Sequence, residues 1–242
     1  GDVVVVGGAR NMQGAALLAA RSALCRGAGR VHWVPLSEVS GMADPGMPEL
    51  MLRTLDAVDG ARMVVVCGCG GGKAVAGVLP RLLSTACKLV LDADALNAVA
   101  ADPALHPLLR ARAGRGWSTV LTPHPLEAAR LAQTDVGSIQ SDRLTWASRL
   151  AANWHCTVVL KGSGSIVADE NTPPWINPTG GPNLACAGTG DVLAGAIGAL
   201  LAAGASAFQA ATAAVWQHGR CADRWPDNSV LTASALASTA WD

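Results

Sequence analysis

Gly188, Thr189, Gly190 and Asp191 stand in front of an apolar run in "AGTGDVLAGAIGALLAAG". The first N–H groups of a helix have no partner within it, and its dipole is positive there, so small residues at such an entrance can hold a phosphate on backbone amides. A carboxylate at the same end is favoured in its ionised form. It could take the proton of an attacking hydroxyl while the amides bear the charge developing on a transferring phosphoryl group. The same residues also fit a plain N-cap and tight turn, so the companions of Asp191 decide between the two readings.

Four further groups are candidates. In "VVVCGCGGGKAVAGVL", Gly68, Gly70, Gly71 and Gly72 follow a strand-like run and allow close backbone approach to a ligand. Neither the dinucleotide fingerprint nor the P-loop is matched, because Lys73 is not followed by Ser or Thr. In "VLDADALNAV", Asp92, Asp94 and Asn97 could line a cleft, hold Mg²⁺ through water, or bind a sugar hydroxyl; helix capping by Asp92 or Asp94 is the structural alternative. In "VLTPHPLEAARLA", Pro123 and Pro125 fix the backbone on both sides of His124, while Glu127 reads as a favourable first-turn charge. In "VVLKGSGSIVAD", Lys161, Gly162, Ser163, Gly164 and Ser165 form a turn suited to a nucleotide's phosphates or ribose, or else a hairpin with an exposed lysine. His32, His106, His155 and His218 lack such framing and read as structural or surface residues.

These groups follow short β-branched runs that alternate with Ala/Leu-rich stretches of helical length, which predicts an α/β fold with a mostly parallel sheet. In open α/β sheets, ligands sit beyond the carboxyl ends of the strands, where Asp92, His124 and Lys161 fall. The "KGSG" and "DENTPP" turns predict a late antiparallel addition to that sheet. From Val192 to Arg224 the chain is nearly all Ala, Leu and Gly with few charges, so its two helices should be largely buried.

The 242 residues, half of them hydrophobic, allow one sizeable core, and 1–242 is read as a single domain. Eighteen basic and eighteen acidic residues cancel without long runs, which points to a small-molecule partner rather than nucleic acid or a membrane. Seven cysteines without zinc spacing read as reduced thiols in a cytoplasmic protein. Neither a signal peptide nor a transmembrane span is expected. A start at Gly1 without Met reads as part of a longer chain.

Taken in order, "VVGGARNMQGAALLAARSAL", "VLDADALNAVA", "LTPHPLEAARL", "VVLKGSGSIVAD" and "NPTGGPNLACAGTGDVLAGAIGALLA" closely resemble the ADP-dependent NAD(P)H-hydrate dehydratases of the ribokinase-like superfamily. The resemblance implies a ribokinase-like three-layer sandwich, a central mostly parallel sheet flanked by helices. It implies repair of hydrated NADH or NADPH by dehydration at the expense of ADP, or of ATP in eukaryotic relatives. Asp191 would act as base toward the ring hydroxyl, and Gly70 and His124 would contact the hydrated cofactor, with Asp94 and Asn97 in the cleft. Lys161 to Ser165, together with the Gly188, Thr189 and Gly190 anion hole, would hold the adenine nucleotide. Mg²⁺ dependence, a homo-oligomer and a fused epimerase domain are further implications; metal ligands are left unassigned.

Two departures stand out. Gln13 replaces the proline of the usual "GMPGAA", and Cys69 lies between Gly68 and Gly70 where Gly-Pro-Gly is frequent. The alternatives are a ribokinase-like kinase of a vitamin precursor, such as a hydroxymethylpyrimidine or hydroxyethylthiazole, and a non-catalytic nucleotide-binding module.

Overall fold

The computed structural model describes residues 1–39 and 41–239. The chain runs through β1 (Asp2–Gly7), α1 (Gln13–Cys25), β2 (Arg30–Pro35), β3 (Met51–Leu52), β4 (Val64–Cys67), α2 (Val75–Thr85), β5 (Lys88–Leu91), α3 (Ala93–Ala101), α4 (Leu105–Gly114) and β6 (Ser118–Leu121). It continues through α5 (Pro125–Ala132), α6 (Val136–Ser141), α7 (Arg143–Trp154), β7 (Thr157–Leu160), β8 (Ile166–Asp169), β9 (Thr172–Ile176), α8 (Thr189–Ala202), α9 (Ala207–Asp223) and α10 (Ala233–Ser238). All these strands join one sheet in the order β3-β2-β1-β4-β5-β6-β7-β8-β9. Pairing is parallel from β3 to β7, and β8 and β9 are added antiparallel through the two turns that the sequence marks. The two-residue edge strand β3 has no counterpart in the sequence reading.

Side chains alternate across the sheet, and the alternation builds two cores. Val4, Val6, Val65, Leu89, Leu91, Leu121 and Val158 face α2 to α7, whereas Val3, Val5, Val66, Val90, Val120 and Val159 face α1, α8 and α9. The result is the three-layer sandwich expected from the sequence. The second core is lined by alanines on α1, α8 and α9. Such small side chains let the helices approach closely, and Ser22 Oγ of α1 donates to Val192 O of α8 at 2.6 Å. The composition of the last third is thus a packing requirement: α8 is buried along nearly its whole length, while α9 buries one stripe.

From β1 the chain steps outward to β2 and β3, then returns to the other side of β1 as β4. Crevices form at the carboxyl ends of strands around such a reversal. Asp92 follows β5, Thr122 to His124 follow β6, and Lys161 follows β7. All seven cysteines are free thiols. Among the described residues, no helix is long and apolar enough to cross a membrane.

Candidate active site

Asp191 occupies the first turn of α8, as the sequence places it, with Gly188 at the N-cap position. Gly188 has φ +91, and a methyl group there would lie 2.6 Å from Leu18 Cδ1 and 2.9 Å from Ala233 Cβ. Glycine is therefore needed both for the left-handed backbone and for the packing of α1 and α10 behind the helix entrance. Gly188→Ala should destabilise the fold by about 1–3 kcal/mol, read as a lowered melting temperature.

Asp92 is the pivot of the site. It stands at the N-cap position of α3 but caps nothing through its side chain. Its Oδ1 accepts from Thr122 Oγ1 at 2.7 Å and from Lys161 Nζ at 2.8 Å, while Cys69 Sγ lies 3.9 Å from Oδ2. The capping reading of Asp92 is thereby corrected: burial brings a lysine and a hydroxyl to this carboxylate from two neighbouring strand ends. Lys161 Nζ also lies 3.9 Å from Glu127 Oε2. Burial opposes the charge of Lys161, but Asp92 and Glu127 outweigh it and raise its pKa. The hairpin reading with an exposed lysine is likewise corrected. A methyl at Gly190 would sit 3.3 Å from Nζ, so the ammonium lies over the entrance of α8.

The sequence reading favours the ionised form of Asp191 at the positive end of α8, and burial acts against it. Burial, together with the nearby Asp92 charge, pushes its pKa up to about 7. A base of that strength suits proton abstraction near neutral pH. Glu127, read as a first-turn charge, is buried, and burial pushes it up to about 6 against the pull of Lys161. It also completes a capping box: His124 Nδ1 accepts from the Leu126 and Glu127 N–H groups, and Glu127 Oε2 accepts from His124 N–H. With Nδ1 an acceptor, the proton is assigned to Nε2, 3.2 Å from Glu127 Oε1. Burial and the Lys161 cation lower the His124 pKa, which favours the neutral ring.

Two cavities meet at these residues. One of about 510 Å³ is lined by Asp92, His124, Glu127, Gly188 and Asp191 among others. The other, of about 500 Å³, is lined by Lys161 to Ser165, Asn177, Leu184, Leu193, Val215 and His218 among others. Lys161, Gly162, Thr189 and Gly190 belong to both walls. His218, set aside in the sequence, lines the second cavity, and its Nε2 lies 3.0 Å from Thr189 O. Burial lowers its pKa to about 4, so the ring is neutral. Nothing around it in sequence marks it; α9 reaches the entrance of α8 only in three dimensions.

Other predicted residues lie outside these walls. Asp94 Oδ2 accepts from Gly72 N–H at 2.8 Å, and Asn97 Oδ1 accepts from Arg130 Nη1 at 2.6 Å. Gly70 accepts from Ala9 N–H and packs beside Met12. Gln13, in the place of the usual proline, donates to Ser37 Oγ at 3.2 Å, and Ser37 Oγ in turn donates to Gly8 O.

Among the described residues, Cys69, Asp92 and Asp191 form the tight cluster of ligand types, with ligand atoms within 4.8 Å of one another. It does not fit a resident Mg²⁺. Asp92 already carries the Lys161 ammonium, and burial next to Asp191 and Asp92 raises the Cys69 pKa well above the usual thiol value, keeping it protonated. Mg²⁺ prefers oxygen ligands and retained water.

A sheet of this order, with a helix-entrance carboxylate lining one of two adjoining cavities, is a ribokinase-like fold; a ribokinase-like superfamily protein from Enterococcus faecalis shares that fold at TM-score 0.78 and 23% identity, with 98% of this chain and 84% of that one covered. Within that class the chain belongs to the NAD(P)H-hydrate dehydratase family, whose model matches residues 3–241. It is 41% identical to the ADP-dependent (S)-NAD(P)H-hydrate dehydratase of Neisseria meningitidis, covering 98% of this chain and 81% of the relative. It is 37% identical to the bifunctional NAD(P)H-hydrate repair enzyme of Coxiella burnetii over 93% of this chain, but spans only 46% of that relative. The Bacillus subtilis ADP/ATP-dependent NAD(P)H-hydrate dehydratase, co-crystallised with ATP/Mg²⁺, superposes at TM-score 0.79 and 29% identity, with 98% of this chain and 86% of that one covered.

Proposed function

We propose that this chain restores hydrated NADH or NADPH by dehydration, using a phosphoryl group from ADP or ATP. The observation that carries this reading is the common wall of Lys161, Gly162, Thr189 and Gly190 between the two cavities, with Asp191 on one side of it. The nucleotide occupies the cavity along Lys161 to Ser165, and the hydrated ring occupies the one beside His124 and Asp191.

Ionised Asp191 takes the proton of the ring hydroxyl as its oxygen attacks the terminal phosphorus, and the bond to the bridging oxygen of the nucleotide breaks. Lys161 and the first-turn amides of α8 bear the charge on the transferring group. The phosphorylated ring then expels phosphate with the C–O bond electrons and loses a proton from the adjacent carbon, re-forming the ring double bond. With ADP, the net products are NAD(P)H, AMP and phosphate. His124, fixed by Glu127 as a neutral ring, borders the substrate cavity and orients the ring without competing for the proton. A Mg²⁺ ion carried by the nucleotide would supply charge neutralisation at the phosphates, and the Cys69, Asp92 and Asp191 cluster would not hold it.

The test is near-ultraviolet absorbance of hydrated NADH and NADPH incubated with protein, Mg²⁺ and either ADP or ATP. Nucleotide-dependent recovery of the reduced-nicotinamide band is expected. Folded protein that gives no recovery with either nucleotide would remove the reading, and accumulation of a stable phosphorylated vitamin precursor would install the kinase alternative.

A further inference from the structure

Behind the nucleotide cavity lies a cation that the chemistry above does not use. Arg143 opens α7, and its guanidinium runs under the turn between β7 and β8. Nη2 donates to Leu160 O at 3.2 Å and Nη1 donates to Ser163 O, so one planar group clamps both ends of the turn. Gly162, between them, has φ +148, and a methyl there would lie 2.8 Å from Nη2. The guanidinium fills the space that a side chain would need. A trans peptide directs its N–H opposite to its carbonyl. Holding Ser163 O from behind therefore turns the Gly164 N–H toward the other side of the turn, and that side lines the cavity.

The charge of Arg143 is uncompensated. Among the described residues no carboxylate pairs with it, since the neighbouring Asp142 accepts from Thr145 N–H as the cap of α7. Its Nε is buried without an acceptor. A half-buried cation held only by neutral carbonyls is a costly way to pin a hairpin. The cost is offset when an anion binds across the turn, where the protein interior screens charge less than water does.

We propose that Arg143 is a positioning residue for the phosphoryl donor, aiming the turn's amides into the nucleotide cavity and attracting the anionic nucleotide with its unpaired charge. This rests on the assignment of that cavity to the nucleotide. The test compares ADP with uncharged adenosine, by titration calorimetry, on the wild type, Arg143→Met and Arg143→Lys, with thermal melts and dehydration kinetics alongside. Arg143→Met should raise the Kd and KM for ADP roughly tenfold while the Kd for adenosine moves less than about twofold, with kcat at saturating ADP changing less than KM. Arg143→Lys should recover part of the affinity, since it keeps the charge but loses the fork that spans both carbonyls. If Met loosens the fold, the Lys variant carries the same comparison. Wild-type protein that binds neither ADP nor ATP would remove the nucleotide reading itself. Wild type that binds ADP, with the variants binding it equally well or losing ADP and adenosine in the same proportion, would overturn the role of Arg143 alone.

Discussion

Asp191→Asn should lower kcat for hydrate dehydration by about a thousandfold while leaving the Kd for ADP within about threefold, because a positioned base contributes roughly 10²–10⁴ to rate and the amide keeps the side chain's shape. The wild-type rate should rise with pH through about 7, the value to which burial and Asp92 push this carboxyl, since only the ionised form accepts the hydroxyl proton. Stability should run the other way. A carboxyl whose folded pKa lies above its unfolded value favours folding at low pH, and that contribution is lost as pH rises through about 7. The Asn variant, free of the buried charge, should therefore melt above the wild type at pH 8, by an amount on the order of 1–4 kcal/mol before solvent screening, and the gap should close toward pH 5. Retained turnover in the variant would remove Asp191 from the role of base. An unchanged melting difference across this range would show that the carboxyl does not titrate near 7.

The sheet was largely legible because most strands, β3 excepted, are short apolar runs with a Gly, Pro or Asp at or just after their ends, and these ends place Asp92, His124 and Lys161 at the same edge. The Asp191 turn was legible for the same local reason. What sequence could not supply is how one strand end acts on the next. Asp92 reads equally as a cleft residue, a Mg²⁺ contact or a cap until Lys161 and Thr122, from two other strands, converge on it. Glu127 reads as a first-turn charge until burial shows it fixing the His124 ring. His218 and Arg143 carry no local signal at all, since His218 lines the cavity beside Lys161 to Ser165 and Arg143 holds the turn behind that cavity, each from a helix that packs there through long-range contacts. Local rules succeeded where a residue answers to its own backbone, and failed where its partner lies far along the chain.

Asp92→Asn tests that convergence directly. Asn can still accept from Thr122 and Lys161 through its oxygen, so the fold should persist, but the ammonium then depends on Glu127, 3.9 Å away, for its counter-charge. Breaking a buried charge pair is expensive because the remaining ion is left without its partner. A Lys161 held over the entrance of α8 by a neutral acceptor, without the Asp92 counter-charge, should lower kcat/KM by about a hundredfold, the loss of roughly 2.7 kcal/mol of transition-state stabilisation. The charge on Asp191 changes as well. Burial and Asp92 raise its pKa, Cys69 and Lys161 lower it, and Asp94 adds a smaller rise. Neutralising Asp92 removes a like charge, so the acidic limb of the rate profile should move down by roughly one pH unit. The profile separates two roles that activity at one pH would merge. A lowered rate with an unmoved limb would make Asp92 only an anchor for Lys161, whereas a shifted limb at nearly full rate would make it only a tuner of the base. Both effects are expected, because the same carboxylate faces the lysine on one side and Asp191 on the other.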